Sequence, residues 1–299
     1  MNTTFDTFAD PASTFVLVHG SGTSSHMWAP LQRELALVGR RSFAIDLPGH
    51  GLDAQYTLAY QAPQNLEALG SEPSSLAGVT LEDNVSALAS AVRVLRKHGP
   101  VILVAASLGG VTISVLANRH PELVDGLVYI SAWACSSRAN PIEYMGEPEF
   151  EDSLLPGLAD LNVGDLTAQQ VARANYRTAD TELLRRLKNA TMQDIDDRRF
   201  MAFLNLMQPD ESLAVMTADA RVDPLTWGRI PHAYLRLTRD RSLPIALQDR
   251  LIREADELTP HNRFQVYSLD TSHTGFLYRS DQVAQILTES LGAASFQTG

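Results

Sequence analysis

Residues 101–110 read Val101-Ile102-Leu103-Val104-Ala105-Ala106-Ser107-Leu108-Gly109-Gly110. Four consecutive apolar residues suit a strand covered on both faces of a parallel sheet, where no polar alternation is needed. The chain then reverses on small residues, and a helix is predicted to start at once, over Val111–Asn118. A strand, a tight turn and an immediate helix form the geometry of a nucleophile elbow, which would hold Ser107 in a strained turn above the sheet edge. The positions two before and two after the serine approach each other and must be small; here they are Ala105 and Gly109. The Leu108 N–H would open the helix and face a developing oxyanion. The competing reading is a small-residue turn without chemistry.

Outward from this unit the alternation continues. Strands are predicted at Phe15–Val18, Arg41–Ile45, Gly126–Ile130, Ala233–Leu237 and Arg263–Leu269. Helices are predicted at Trp28–Val38, from Thr80 to the Gly99-Pro100 stop, at Ile245–Ala255 and at Ser280–Leu291. Thr80 followed by Asp83 has capping-box spacing, and Val85, Leu88, Val92 and Leu95 form the buried stripe behind it. Strands alternating with helices imply βαβ units and a parallel sheet. Residues 52–78 read as a long surface excursion. Between 133 and 229 the pattern turns helical (Ala168–Tyr176, Thr181–Lys188, Asp196–Leu206, Ser212–Thr217) with no clear strand. The expected organisation is an α/β core of 1–132 and 230–299 split by a helical cap at 133–229.

Composition narrows the function classes. At 299 residues the chain makes one large domain or two ordinary ones, enough for a core without disulfide or metal staples. Lys plus Arg number 24 against 35 Asp plus Glu, a net charge of −11. That disfavours nucleic acid and an anionic membrane surface as partners. The single cysteine, Cys135, excludes an intrachain disulfide. Met1–Ala12 lacks a basic residue and a long apolar run, so no signal peptide is expected. No stretch reaches the roughly 18 apolar residues of a membrane span. The expectation is a soluble cytoplasmic protein, monomer or homodimer, with a small-molecule substrate.

A serine is a weak nucleophile unless an oriented base removes its proton. In this architecture the order along the chain is Ser, Asp or Glu, then His. Asp240 lies just past Ala233–Leu237 and His273 just past Arg263–Leu269. With Ser107, all three sit beyond the carboxyl ends of predicted parallel strands, where open α/β sheets place their sites. Asp249, inside a predicted helix, and Asp270, too close to His273, rank below Asp240. The second oxyanion donor should come from the loop after the first strand; Ser21 and Gly22 are the candidates, Ser21 preferred. His19 is expected to shape that loop, and His26 to reach the pocket. His50, His98, His120, His232 and His261 are expected at solvated positions. Without an HExxH or a Cys/His cluster, no metal or cofactor is expected.

These segments resemble the α/β-hydrolase superfamily: Val16-Leu17-Val18-His19-Gly20, Asp46-Leu47-Pro48-Gly49-His50-Gly51, Ser107-Leu108-Gly109-Gly110, and those holding Asp240 and His273. His26-Met27-Trp28, Met207-Gln208-Pro209-Asp210-Glu211 and Asp240…Pro244…Gln248 are similar to the plant methylesterase and hydroxynitrile lyase branch and its bacterial esterase relatives. The resemblance implies a mostly parallel, doubly wound sheet with a helical cap inserted after the sixth core strand. Two departures matter. The usual Gly-x-Ser-x-Gly elbow begins here with Ala105, and Thr274 stands where plant-type lyases of this branch carry a lysine.

The cap's apolar residues divide between its own core and a pocket wall. The expected substrate contacts are Gly20, Gly22, His26, Trp133, Tyr144, Met145, Phe203, Met207 and Thr274. Cys135 is expected as pocket wall or core, with no base placed for it. The first expectation is a serine hydrolase of a small, largely apolar ester or lactone. The alternatives are the same triad used by a lyase, C–C hydrolase or cyclising enzyme, and a non-enzymatic small-ligand receptor.

Overall fold

The computed structural model describes residues 13–290. In chain order the elements are β1 (Thr14–Val18), α1 (Ala29–Leu37), β2 (Arg41–Ile45), α2 (Leu66–Ser71), α3 (Leu81–Leu95), β3 (Val101–Ser107), α4 (Gly109–Arg119) and β4 (Gly126–Ala132). The insertion contributes α5 (Pro141–Tyr144), α6 (Leu166–Gln169), β5 (Val171–Arg173), α7 (Thr181–Thr191), α8 (Asp197–Leu204), β6 (Asp210–Ser212) and α9 (Leu213–Thr217). β7 (His232–Leu237), α10 (Ile245–Leu258), β8 (Gln265–Leu269) and α11 (Ser280–Gln285) complete the chain.

Six strands form one sheet in the order β2-β1-β3-β4-β7-β8, with every neighbouring pair parallel. The fold class read from the sequence holds. The central strands β1 and β4 are buried throughout, whereas the edge strands β2 and β8 alternate. Alternate residues serve opposite cores: Val16 and Val18 join one buried cluster, Phe15 and Leu17 the other. Helices therefore have to cover both faces, as apolar runs in a parallel sheet require. The capping box at α3 forms as its spacing predicts. The Thr80 hydroxyl accepts the Asp83 N–H, and the Asp83 carboxylate accepts the Thr80 N–H at 2.8 Å.

Three expectations need correction. The insertion leaves the sheet after β4, the fourth strand in chain order among the described residues, where a sixth was expected. The helix predicted at Ala168–Tyr176 is only the four residues of α6. It ends at Gln170 in the left-handed region (φ 59°) and gives way to β5, which pairs antiparallel with β6. The physical reason is tertiary. The Arg173 guanidinium is buried and bidentate on Asp210 at 2.7 and 2.8 Å, and it also donates to the carbonyls of Leu69 and Glu72. A fixed ionic fork of that kind overrides a weak helical pattern. The last predicted helix is α11 followed by a π turn at Ile286–Ser290. Its expected end, Leu291, and the Met1–Ala12 segment lie outside the described residues. Among the described residues, no helix is long and apolar enough to cross a membrane.

Candidate active site

Ser107 ends β3 with φ at 50°, a left-handed conformation that an L-residue adopts only when its surroundings force it. The forcing contacts are visible. A Cβ on Gly109 would meet the His19 carbonyl oxygen at 2.5 Å, and one on Gly110 would strike the Trp133 backbone. Helix α4 therefore starts jammed against the ends of β1 and β4, and the turn before it cannot relax. Ala105, the first small position of the elbow, is fully buried.

Asp240 and His273 stand past the carboxyl ends of β7 and β8. The His273 Nδ1 lies 2.6 Å from Asp240 Oδ2. The carboxylate has three further donors: Ser131 Oγ at 2.6 Å on Oδ2, and the N–H groups of Ser242 and Leu243 at 2.7 and 2.8 Å on Oδ1. A buried carboxylate satisfied on both oxygens has one orientation, so it fixes the imidazole that binds it. Ser131 was missed in the sequence, and its position has a definite cause. The register of β3 on β4 shifts between Ala106↔Ile130 and Ser107↔Ala132, leaving Ser131 as the extra residue at φ 38°. The bulge turns its hydroxyl onto Asp240, which no period-two reading of β4 would place there.

The insertion also clasps the histidine loop. Asp194 accepts from Thr271 Oγ1 at 2.7 Å and from Ser272, while the N–H and hydroxyl of Thr274 both donate to the Thr191 carbonyl. Burial would raise the Asp194 carboxyl, but these donors outweigh it and hold it below the usual range.

Ser107, Leu108 and His273 border one cavity of about 440 Å³ with the loop after β1. On the sheet side the expected contacts Gly20, Gly22, Trp133 and Thr274 line it; from the insertion Met145, Phe203 and Met207 do. Tyr176, Phe200 and Glu211, not foreseen as contacts, line it as well. Among the described residues, no hydrogen bond engages the N–H of Ser21 or of Leu108. The Gly22 N–H, by contrast, is spent on Glu211 Oε2 at 3.1 Å. Of the two candidate oxyanion donors, this leaves Ser21.

Two expected contacts fall elsewhere. His26 is exposed and outside the cavity lining, because its one-turn 3-10 helix (Ser25–Trp28) turns Met27 and Trp28 inward instead. Tyr144 is buried in the core; its phenol oxygen accepts the N–H groups of Ser136, Ser137 and Arg138 and donates to Glu254 at 2.5 Å. Cys135 is core rather than wall, and burial pushes its thiol well up, which removes thiolate chemistry.

His50 and His232 are buried, against expectation. His232 stacks on Trp227 with ring centroids 4.0 Å apart, and burial pushes it down to about 4. His19 bridges two backbone groups, Nδ1 toward the Gly20 carbonyl at 3.0 Å and Nε2 accepting the Leu47 N–H at 3.2 Å. Burial, reinforced by the neighbouring His50 ring, pushes His19 down to about 4. His50 Nε2 lies 3.6 Å from Glu211 Oε2. Burial would lower His50, but the carboxylate outweighs it and raises the imidazole; the same pairing outweighs burial at Glu211 and lowers its carboxyl.

A wholly parallel sheet flanked on both faces, with a serine at its strained strand-to-helix turn, defines an enzyme of the α/β-hydrolase type. A sequence model of the alpha/beta hydrolase family matches residues 15–286, and the chain belongs to that family. The chain is similar to a pyrethroid hydrolase of Sphingobium wenxiniae, 28% identical over 199 residues; the match covers 65% of this chain and 64% of that protein, just under two thirds of its length. Norfluorocurarine synthase 1 of Strychnos nux-vomica is 23% identical over 288 residues, covering 92% and 94%. Among solved structures, a pyrethroid hydrolase from Sphingobium faniae superposes with a TM-score of 0.68 at 23% identity, over 92% of this chain and 95% of that one. Polyneuridine aldehyde esterase does so at 0.67 and 18% identity, over 92% and 97%.

Proposed function

We propose that the protein hydrolyses a carboxylic ester or lactone of a small, largely apolar molecule through an acyl-enzyme. In this reading Ser107 Oγ attacks the carbonyl carbon while His273 takes the hydroxyl proton. Asp240 orients His273 and stabilises its cation. The carbonyl oxygen becomes an oxyanion held by the N–H groups of Ser21 and Leu108. The C–O bond to the leaving alcohol then breaks, and His273 returns the proton to that oxygen. Water, deprotonated by the same imidazole, attacks the acyl carbon and releases the acid and Ser107.

The observation that carries this reading is the cavity they share. Ser107 and His273, the latter bonded to a fully satisfied Asp240, border one space with the loop that offers the Ser21 N–H. The substrate class follows from the wall, which is built mainly of apolar residues (Met, Leu, Phe, Trp, Ala and Pro), and from a net charge of −11 that gives an anion no help. Relatives named as a pyrethroid hydrolase and as methylesterases support ester hydrolysis. We further propose that residues 133–229 act as the cap over this cavity.

A panel of p-nitrophenyl esters of increasing chain length tests the reading. Turnover is expected, and Ser107→Ala should lower kcat by at least about a thousandfold. Near-normal turnover by that variant would remove Ser107 from the chemistry. The similarity to norfluorocurarine synthase 1 over nearly the whole chain favours, as a second reading, the same three residues serving a non-hydrolytic reaction. An acyl group trapped on Ser107 and seen by mass spectrometry during turnover would decide for hydrolysis.

A further inference from the structure

The Met207–Glu211 segment stands out in the sequence, yet no step above uses it. It crosses from α8 into β6 and touches the oxyanion loop at both polar groups of one residue. The Gln208 N–H donates to the Gly22 carbonyl at 2.8 Å, and Glu211 Oε2 accepts the Gly22 N–H at 3.1 Å. Gly22 sits at φ +62°, and a Cβ there would meet the Tyr176 hydroxyl at 2.9 Å, so the loop passes tightly beneath the insertion. The Gln208 side chain bonds both the N–H and the carbonyl of Gly51, at 3.3 and 3.2 Å. Next along, Asp210 is locked by Arg173 and by Ser74 at 2.5 Å, and Glu211 Oε1 takes the Ser212 N–H. The segment is thus anchored at its far end and holds the loop at its near end.

We propose that Gln208–Glu211 is a strap that sets the oxyanion hole, with Glu211 as a positioning residue acting through Gly22 on the Ser21 N–H. An oxyanion donor is useful only where the transition-state oxygen will be, and a displacement of about 1 Å costs on the order of a hundredfold. The two peptide units that flank Gly22 are each held by the strap, one at its N–H and one at its carbonyl, so the chain cannot turn at Gly22 and the Gly20–Ser21 amide that precedes them keeps its aim. The device rests on the esterase reading, since it presupposes an oxyanion bound at Ser21. It also ties the insertion directly to the chemistry: whatever displaces β6 displaces a catalytic donor.

The experiment compares reach with charge. Glu211→Asp keeps the negative charge but withdraws the carboxylate from Gly22 and, because Oε2 meets both, from His50 as well; Glu211→Gln keeps an acceptor oxygen at full reach and removes the charge. On p-nitrophenyl butyrate, Glu211→Asp and Glu211→Ala should lower kcat roughly ten- to hundredfold with KM changed less than about threefold. Glu211→Gln should retain kcat within about threefold. Inhibition by an aryl trifluoromethyl ketone, whose adduct with Ser107 carries the oxyanion, should weaken in parallel with kcat. The matching non-reactive ether should bind all four proteins alike. The idea is overturned if folded Glu211→Asp keeps wild-type kcat, if Glu211→Gln is the inactive variant, or if the loss lies in KM alone. Failure of the esterase reading looks different: wild-type protein would then turn over no ester, or Ser107→Ala would remain active.

Discussion

Two buried carboxylates each face an imidazole at this site, and they are held in opposite ways. Asp240 stands just past the end of β7, accepts four hydrogen bonds and meets His273 at 2.6 Å, with His273 opening onto the cavity. Glu211 comes from the insertion and lines the cavity itself, while its partner His50 lies behind it at 3.6 Å against His19. In the first pair the imidazole is presented and the acid is hidden; in the second the order is reversed. On the proposed reading, the reversal separates moving a proton from holding a backbone. A base must reach its substrate, whereas a counter-charge serves best out of its way.

The largest break in this comparison is Asp240→Asn. The amide keeps the shape but donates where it must accept, so kcat of the folded variant on p-nitrophenyl butyrate should fall by roughly ten-thousandfold. The equivalent change on the other side, Glu211→Gln, should be mild by contrast.

Acid tests the buried imidazoles, His19 beside the Glu211–His50 pair and His232 at the start of β7. His19 and His232 have folded values of about 4 against an ordinary 6.5, so the unfolded chain binds more protons between those values. Their contribution to stability is present above pH 6.5 and is lost as the pH falls towards 4, up to about 3 kcal/mol for each. His50 is raised, so its contribution runs the other way: it is present below pH 6.5 and lost as the pH rises through the raised value. Chemical denaturation at pH 7 and pH 4.5 should show a clear loss in acid. His232→Phe should show a smaller loss, because it removes one of the two depressed groups. An equal loss would shift the effect away from His232.

The smallest test concerns the sheet side. Ser131→Ala removes one of four donors from Asp240 and should cost about 1.5–3 kcal/mol in urea denaturation. The drop in kcat should stay under about tenfold, because three donors still orient the carboxylate.

The sheet was legible because apolar runs such as Val101–Val104 and turn residues such as Gly109-Gly110 act locally. Ser107, Asp240 and His273 were legible as candidates for a related reason: each follows a strand that could be read, so its height above the sheet could be inferred. What escaped was set by long-range contact. Ser131 points at Asp240 only because of a bulge, and Glu211 reaches Gly22 across 189 positions of chain. His50 looked like a loop residue, and nothing in its neighbours foretells that the insertion covers it. Tyr144 looked like pocket wall because aromatic side chains in a cap often are; its phenol instead found three backbone donors. The short strand β5 was read as helix because its partner β6 lies far along the chain.

That Tyr144 junction has a mechanical consequence. Where the chain leaves the sheet, one oxygen gathers three successive amides and is itself tied to Glu254. Arg250 rivets the next turn down through Glu147 and Glu149 onto the same helix, α10. Lifting this end of the insertion off α10 would break the Tyr144–Glu254 bond and part Arg250 from Glu147 and Glu149 at once. The insertion is therefore clamped to the core at that corner, by charge and hydrogen bonds rather than by apolar packing alone.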